Sequence, residues 1–182
     1  MNTNKIKHIS KFLSLILRHN PEKIGLQLDE NGWAEVAELL RKSNRYQPTL
    51  TLETLQEVVA TNDKKRFAFN EDQTKIRANQ GHSIKVDLEY VAKQPPEFLY
   101  HGTVSKCMRA IREKGLLKMS RHHVHLSSDR DTAIKVGSRR GKPIILSVNS
   151  GEMHQQGILF YQSDNGVWLT DAVAPEFIAF KE

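Results

Sequence analysis

Ile6, Ile9, Leu13 and Ile16 recur at spacings of three and four, and Phe12 and Leu17 widen the stripe. This repeat puts apolar side chains along one face of an α-helix, here from about Lys5 to His19. It stops at Arg18-His19-Asn20-Pro21. Proline lacks the amide hydrogen that would continue the helix, so the chain turns there. The rest of the fold must therefore be arranged around a buried helix that ends in an arginine and a histidine. Taken alone, the two cations complement the negative end of the helix dipole, worth ~0.3–1 kcal/mol. Whether they also grip an anion depends on which other basic residues meet them.

The chain has 182 residues, enough for one large domain or two small ones. Apolar residues make up 38% and charged residues 26%, which allows a core under an ordinary polar surface. The net charge of +6 is divided equally between residues 1–80 and 81–182, so it is not a basic tail. That distribution suits a protein that handles polyanions with both halves, although charge alone also fits a generic basic protein. The single cysteine, Cys107, rules out an intrachain disulfide and points to a reducing compartment. The N-terminus leads into an amphipathic segment rather than a signal-peptide core, and no apolar run approaches the ~20 residues of a membrane span. A cytoplasmic protein is expected.

Leu26 and Leu28 alternate with polar neighbours, and Asn31-Gly32 signals a turn. Ala34 to Arg41 reads as a helix with Val36, Leu39 and Leu40 apolar. Another helix runs from about Leu52 to Ala60, with Leu52, Leu55, Val58 and Val59 inward and Thr51 as N-cap. No capping box is present, because Thr54 stands where Glu or Gln is wanted. Phe67 and Phe69 share one face of a strand, and Thr74 to Ala78 returns as its partner with Ile76 inward. Three helices and a hairpin is the order of a winged helix. The helix over 52–60 carries Glu53 and Glu57, carboxylates that would repel a phosphate backbone and argue against major-groove binding. Pro95-Pro96 is a break, which gives a first lobe over 1–80, a linker over 81–96 and a second lobe over 97–182.

Phe98 to Thr103 reads as a strand ending in polar chemistry. Ser105 is placed to cap a helix running to Lys114, and Gly115 to stop it. Val124 and Leu126 indicate a strand, and Ser128-Asp129 begins a helix that ends near 136–141. Strands are expected over Pro143–Val148, Ile158–Tyr161, Val167–Thr170 and Phe177–Phe180. The class is α+β, without regular Rossmann alternation. The glycine-rich loops GxGxxG and GxxxxGK[ST] are missing, which excludes nucleotide binding by those loops. His122, His123 and His125 match no standard zinc spacing. His101 suits a hydrogen-bond donor to a sugar hydroxyl, Gly102 a close ligand approach to the backbone, and Thr103 a second polar contact.

Several stretches are more specific together than singly. They are Lys11 to Pro21, Asp63-Lys64-Lys65-Arg66-Phe67, Gln80-Gly81-His82-Ser83 and Leu99-Tyr100-His101-Gly102-Thr103, followed by His123-Val124-His125-Leu126-Ser127 and Val136-Gly137-Ser138-Arg139. In this order, over nearly the whole chain, they closely resemble the RNA 2′-phosphotransferase (KptA, tRNA 2′-phosphotransferase) family. The resemblance implies an N-terminal winged-helix lobe that binds RNA and a C-terminal lobe of the ADP-ribosyltransferase kind, with a split β-sheet. It implies a catalytic set of Arg18, His19, Arg66 and Arg139, the last matched on Gly-x-Arg and adjacent to Arg140. It also implies an NAD-binding stretch at His101, Gly102 and Thr103 with Ser127 beside it, and no metal.

The reaction implied by the resemblance removes an internal 2′-phosphate from RNA, such as tRNA or repaired RNA, and consumes NAD as co-substrate. The 2′-phosphate displaces nicotinamide, and transesterification then releases 2′-OH RNA and ADP-ribose 1″,2″-cyclic phosphate. This is a phosphotransferase reaction with an alcohol acceptor, and a monomer suffices for it. A phosphate monoester carries about −1.5 to −2 charges at neutral pH. Arginine binds two of its oxygens at once and does not lose its proton. His19 can change protonation near neutrality, which suits hydroxyl recognition or acid–base work. ADP-ribosylation of protein is disfavoured because the late strand Gly166–Asp171 lacks a glutamate. ADP-ribosylation of a terminal nucleic-acid phosphate, and nucleic-acid binding without catalysis, remain as alternatives.

Overall fold

The computed structural model describes residues 3–62 and 64–180. Asp63, which heads the Asp63–Phe67 stretch, lies outside the described residues, as do the first and last two positions. The chain divides into two compact units, Met1–Glu89 and Tyr90–Glu182. Six α-helices and several small antiparallel sheets make it a mixed α and β protein among the described residues.

In the first unit, α1 (Thr3–Arg18) buries Ile9, Leu13, Ile16 and Leu17, the stripe that its periodicity predicts. The strand β1 (Ala34–Glu35) leads directly into α2 (Val36–Ser43). The expected helix start at Ala34 is therefore two residues early. Ala34 is instead extended and paired with Ile76, and the amide of Val36 bonds the carbonyl of Thr74. The helix α3 (Leu52–Ala60) is capped by the Thr51 hydroxyl, which accepts from the amide of Thr54. Leu55 and Val58 are buried, but Leu52, expected inward, is exposed in the first turn. The strands β2 (Phe67–Phe69) and β3 (Lys75–Ala78) pair with Ala68 opposite Arg77, giving a sheet ordered β1-β3-β2. Leu26 and Leu28 form no strand.

The segment 81–96, read as a linker, is hydrogen-bonded on both sides of residue 89. In the first unit the amide of Ser83 bonds the carbonyl of Arg18, and the amide of Asp87 that of Glu30. In the second, the amide of Lys93 bonds the carbonyl of Phe160, and Ala92 bridges to Tyr161.

The second unit has two three-stranded sheets. In one, β4 (Leu99–Val104) pairs along its whole length with β7 (Pro143–Val148), and β7 with β11 (Ile178–Ala179). In the other, β6 (Val124–Leu126) pairs with β9 (Trp168–Thr170), and β9 with β8 (Tyr161–Gln162). A bridge between Tyr100 and Ser127 joins the sheets. A two-stranded pair links β5 (Leu116–Leu117) to β10 (Ala172–Val173). The helices are α4 (Ser105–Lys114), α5 (Arg130–Gly137) and α6 (Ser150–Gln155). Ser105, expected as a cap, is the first residue of α4, and Val104 holds the cap position without a side-chain bond. Leu99, Leu126, Leu146, Val148, Met153 and Phe160 form the core. Among the described residues no helix is long and apolar enough to cross a membrane.

Candidate functional site

The end of α1 is fixed by its own sequence. The amides of His19 and Asn20 both bond the carbonyl of Leu15, and Pro21 opens a short 3-10 turn, Pro21–Ile24. The Asn20 side chain accepts from the amide of Lys23 and caps that turn. Arg18 is thus half-buried at the last helical position, and His19, one residue past the helix, is exposed.

The strand β2 and the segment after β3 come to this end. Arg18 Nη2 donates to the carbonyl of Arg66 at 3.3 Å, and its guanidinium lies 5.8 Å from the centre of the Phe67 ring. Arg66 is steadied in turn: its Nη1 donates to Asn62 Oδ1 at 3.3 Å, and its carbonyl also accepts from the amide of Asn79. Asn62 is buried and donates to the Ser10 hydroxyl on α1, and Asn79 donates to the carbonyl of Lys65. Lys65 takes a positive φ of 39°, so the turn into β2 is tight. The structure therefore brings Arg18, His19 and Arg66 together.

Gln80-Gly81-His82-Ser83 acts on the same place. The Ser83 hydroxyl lies 2.9 Å from His19 Nδ1, and its amide bonds the carbonyl of Arg18. Gly81 has a positive φ of 84° beside Arg18, and a Cβ there would stand 3.6 Å from Nη1. Beyond His19, a shallow pocket of about 450 Å³ is lined by Asn20, Pro21, Leu28, Ile84 and Val86 among others. Ser83 and Asn62 were given no role from sequence. Ser83 falls in a stretch already singled out, whereas Asn62 carries no local signal.

The second unit holds the other candidates. His101 is on β4, and its Nδ1 donates to the carbonyl of His125 at 3.1 Å. Burial pushes its pKa below the ordinary imidazole value. The His125 carbonyl opposes that, and the charge of Arg140 adds to it. The neutral ring with its proton on Nδ1 presents Nε2 as an acceptor. The carbonyl takes Nδ1, and the ring nitrogen left for a ligand is Nε2.

At Gly102 the structure supplies a packing reason for glycine. A Cβ there would stand 1.9 Å from the carbonyl oxygen of Ala133 and 2.9 Å from the amide of Gly137. The missing side chain makes room for α5 against β4. Thr103 is buried on β4, and Ser127 exchanges both backbone bonds with Tyr100, the residue before His101.

Arg139 and Arg140 lie on the 3-10 turn Ser138–Arg140 that follows α5. The charge that reaches His101 and Arg121 is that of Arg140. Arg121 itself, not foreseen from sequence, donates from Nη1 to His125 Nδ1 at 3.1 Å. Partial desolvation, and then Arg140, lower its pKa from the usual guanidinium value. Arg121, Arg140, His125 and His101 form one basic group. The signal that the sequence offers for Arg121 is its place beside the histidines in Ser120-Arg121-His122-His123. Among the described residues no group of three or more His, Cys, Asp or Glu side chains is arranged to hold a metal ion.

The family model described as "RNA 2'-phosphotransferase, Tpt1 / KptA family" matches residues 4–172. The chain belongs to the RNA 2′-phosphotransferase family. It is 62% identical over 181 residues to a protein of Flavobacterium johnsoniae named "Probable RNA 2'-phosphotransferase", covering 100% of both chains. Proteins of the same name from Burkholderia pseudomallei and Streptomyces griseus are 54% and 50% identical, covering 94% and 100% of this chain and 93% and 100% of their own. The family match spans the arginine pair of the first unit, the Gly81–Ser83 support and the His101 group of the second.

Proposed function

We propose that the chain removes an internal 2′-phosphate from RNA and consumes NAD in doing so. The observation that carries this reading is the convergence of Arg18, His19 and Arg66 on the tip of α1 through the carbonyl of Arg66 and the hydroxyl of Ser83. The Arg18 and Arg66 guanidinium groups bond neutral oxygens, the carbonyl of Arg66 and Asn62 Oδ1, and their forked donors suit an anion. A branched phosphate monoester is the ligand that fits two forked guanidinium groups and an imidazole.

The second unit fits a dinucleotide by the chemistry of its donor set. His101, kept neutral and tautomerically fixed, accepts from a ribose hydroxyl, and Arg121 and Arg140 offset phosphate charge. NAD, when bound, supplies an electrophilic ribose carbon whose nicotinamide is already a good leaving group. The protein's task is then positioning and charge stabilisation rather than strong acid–base catalysis. Arg18 and Arg66 hold the phosphate oxygens. His19, steadied by Ser83, contacts a hydroxyl. Arg121 takes the role that the motif assigned to Arg139, because it is bonded into the His101 group. The arrangement of helices and hairpin in the first unit is read as a winged helix, and the second unit as an ADP-ribosyltransferase-like lobe.

The test is incubation with an oligoribonucleotide carrying one internal 2′-phosphate, with and without NAD, followed by mass spectrometry. Loss of the phosphate only with NAD, with release of nicotinamide, is expected. NAD-independent loss, or ADP-ribosyl-RNA as the sole end product, would replace this reading by a phosphatase or a terminal-type ADP-ribosyltransferase.

A further inference from the structure

The helix α1 has a second face, of which the reaction above uses only the last residue. With about 3.6 residues per turn, Lys7, Lys11, Ser14 and Arg18 fall within about 60° of its circumference. The buried stripe of Ile9, Leu13 and Ile16 lies on the opposite side. Lys7 and Lys11 are exposed, as that placement requires. At a rise of about 1.5 Å per residue, Lys11 stands about 10 Å and Lys7 about 16 Å from Arg18 along the axis. No aspartate or glutamate occurs between Thr3 and Arg18. The face is therefore a line of cations that ends at the arginine assigned to the phosphate.

Asn62 and Lys64–Arg66 flank this line. Asn62 donates to the Ser10 hydroxyl, and the carbonyl of Arg66 accepts from Arg18, so the chain leading into β2 lies beside the same stretch of α1. Lys64 and Lys65 are exposed there. Among the described residues no carboxylate bonds Lys7, Lys11 or Lys65. Two other lysines of the unit are neutralised: Lys42 pairs with Glu38, and Lys75 with Asp29 and Glu35. The helix α3, by contrast, carries Glu53 and Glu57, which repel a phosphate backbone.

We propose that Lys7 and Lys11 of α1, with Lys65 beside them, bind the phosphodiester backbone of the RNA strand next to the 2′-phosphate. This rests on the reading that Arg18 holds that phosphate. An internal 2′-phosphate has backbone phosphates on both sides, so the strand leaving Arg18 must pass over neighbouring protein surface. On the α1 side that surface carries repeated cations and no acid. Beyond His19 the pocket lining includes Glu22 and Asp29 against one lysine, Lys85, which does not suit a chain of phosphates. NAD does not fit the line either. Its two phosphates are joined directly, whereas these charges are spread over about 16 Å. Lysine suits the task, because a point charge on a flexible stem neutralises a phosphate without reading sequence.

The rival is a line of lysines that only solvates the helix, and substrate length separates the two. The parent, Lys7→Gln/Lys11→Gln and Lys7→Arg/Lys11→Arg are compared by fluorescence anisotropy, without NAD. The probes are a labelled oligoribonucleotide extended on both sides of one 2′-phosphate and, as competitor, a dinucleotide bearing the same group. At about 0.1 M salt the glutamine pair should weaken the long probe by roughly fivefold per lysine, and flatten the slope of log affinity against log salt by about 0.7 per lysine. Affinity for the dinucleotide should change by less than about twofold, and the arginine pair should bind like the parent. Parent-like binding of the long probe by the glutamine pair, or an equal loss on both probes, overturns the proposal. In the parent protein, the long RNA should protect Lys7 and Lys11 from acetylation, read by mass spectrometry, and protection confined to other lysines refutes it without any variant. Neither measurement needs turnover. Long RNA bound through Lys7 and Lys11 without NAD-dependent phosphate transfer would retire the reaction and keep the backbone site. Normal transfer with parent-like binding by the glutamine pair would do the reverse.

Discussion

Gly102→Ala offers a sharp test of how β4 is built. The added Cβ would stand 1.9 Å from the Ala133 carbonyl oxygen, where ordinary contact begins near 3.4 Å. The helix α5 would have to retreat by about 1.5 Å. The neighbouring atoms are backbone and cannot rotate aside. Gly137 of the same helix already faces Gly102 closely, because a Cβ on Gly137 would meet the Gly102 carbonyl carbon at 3.2 Å. Overpacking against mobile side chains costs about 1–3 kcal/mol, so a clash with backbone belongs at about 3 kcal/mol or above. For a unit of under 100 residues, each kcal/mol moves the melting temperature by roughly 4–8 °C. Circular-dichroism melting should therefore show a fall of about 12 °C or more. A variant that melts within about 2 °C of the parent, yet has lost affinity for NAD, would refute this reasoning and restore ligand approach as the reason for glycine.

Arg18→Ala and Arg66→Ala should each keep native circular dichroism and lose about 100-fold or more in rate, as removal of a charge-stabilising donor does; full activity would take that residue out of the site. Ser83→Ala should cost about fivefold in rate, the worth of one ordinary hydrogen bond, read in the same turnover assay. Arg121→Ala should lose at least 10-fold more activity than Arg139→Ala in parallel turnover assays, and the opposite order would return the role to Arg139. The folded pKa of His101 is lowered, so between that value and the usual imidazole pKa the unfolded chain binds more protons. Its contribution to stability is full above about pH 6.5 and declines as the pH falls from there. The drop in melting temperature from pH 7 to pH 5.5 should be smaller in His101→Gln.

Helices with a strong apolar stripe were legible in the sequence. Ile9, Leu13 and Ile16 define α1, and Asn20-Pro21 marks its end. The long strand β7 was readable from its continuous apolar run. What escaped has little local pattern. The helix α6 has one buried apolar residue, Met153, and β5 and β10 are two-residue strands defined only by their pairing. Ala34 looked helical because alanine is a good helix former, but pairing with Ile76 overrides that preference. In the site, Arg18, His19 and Arg66 came from stretches shared with a family, and their contacts came from the fold. The proton on His101 Nδ1 and the fit of α5 against Gly102 depend on backbone atoms 24 and 31 positions away, which no local spacing encodes.

The most direct measurement follows the phosphorus. An oligoribonucleotide labelled with ³²P in its internal 2′-phosphate is incubated with the protein and NAD, and the label is traced by chromatography. Transfer of the label to ADP-ribose 1″,2″-cyclic phosphate, with none lost when NAD is withheld, is the predicted result. Label released as inorganic phosphate, or retained on the RNA in full, would contradict the account.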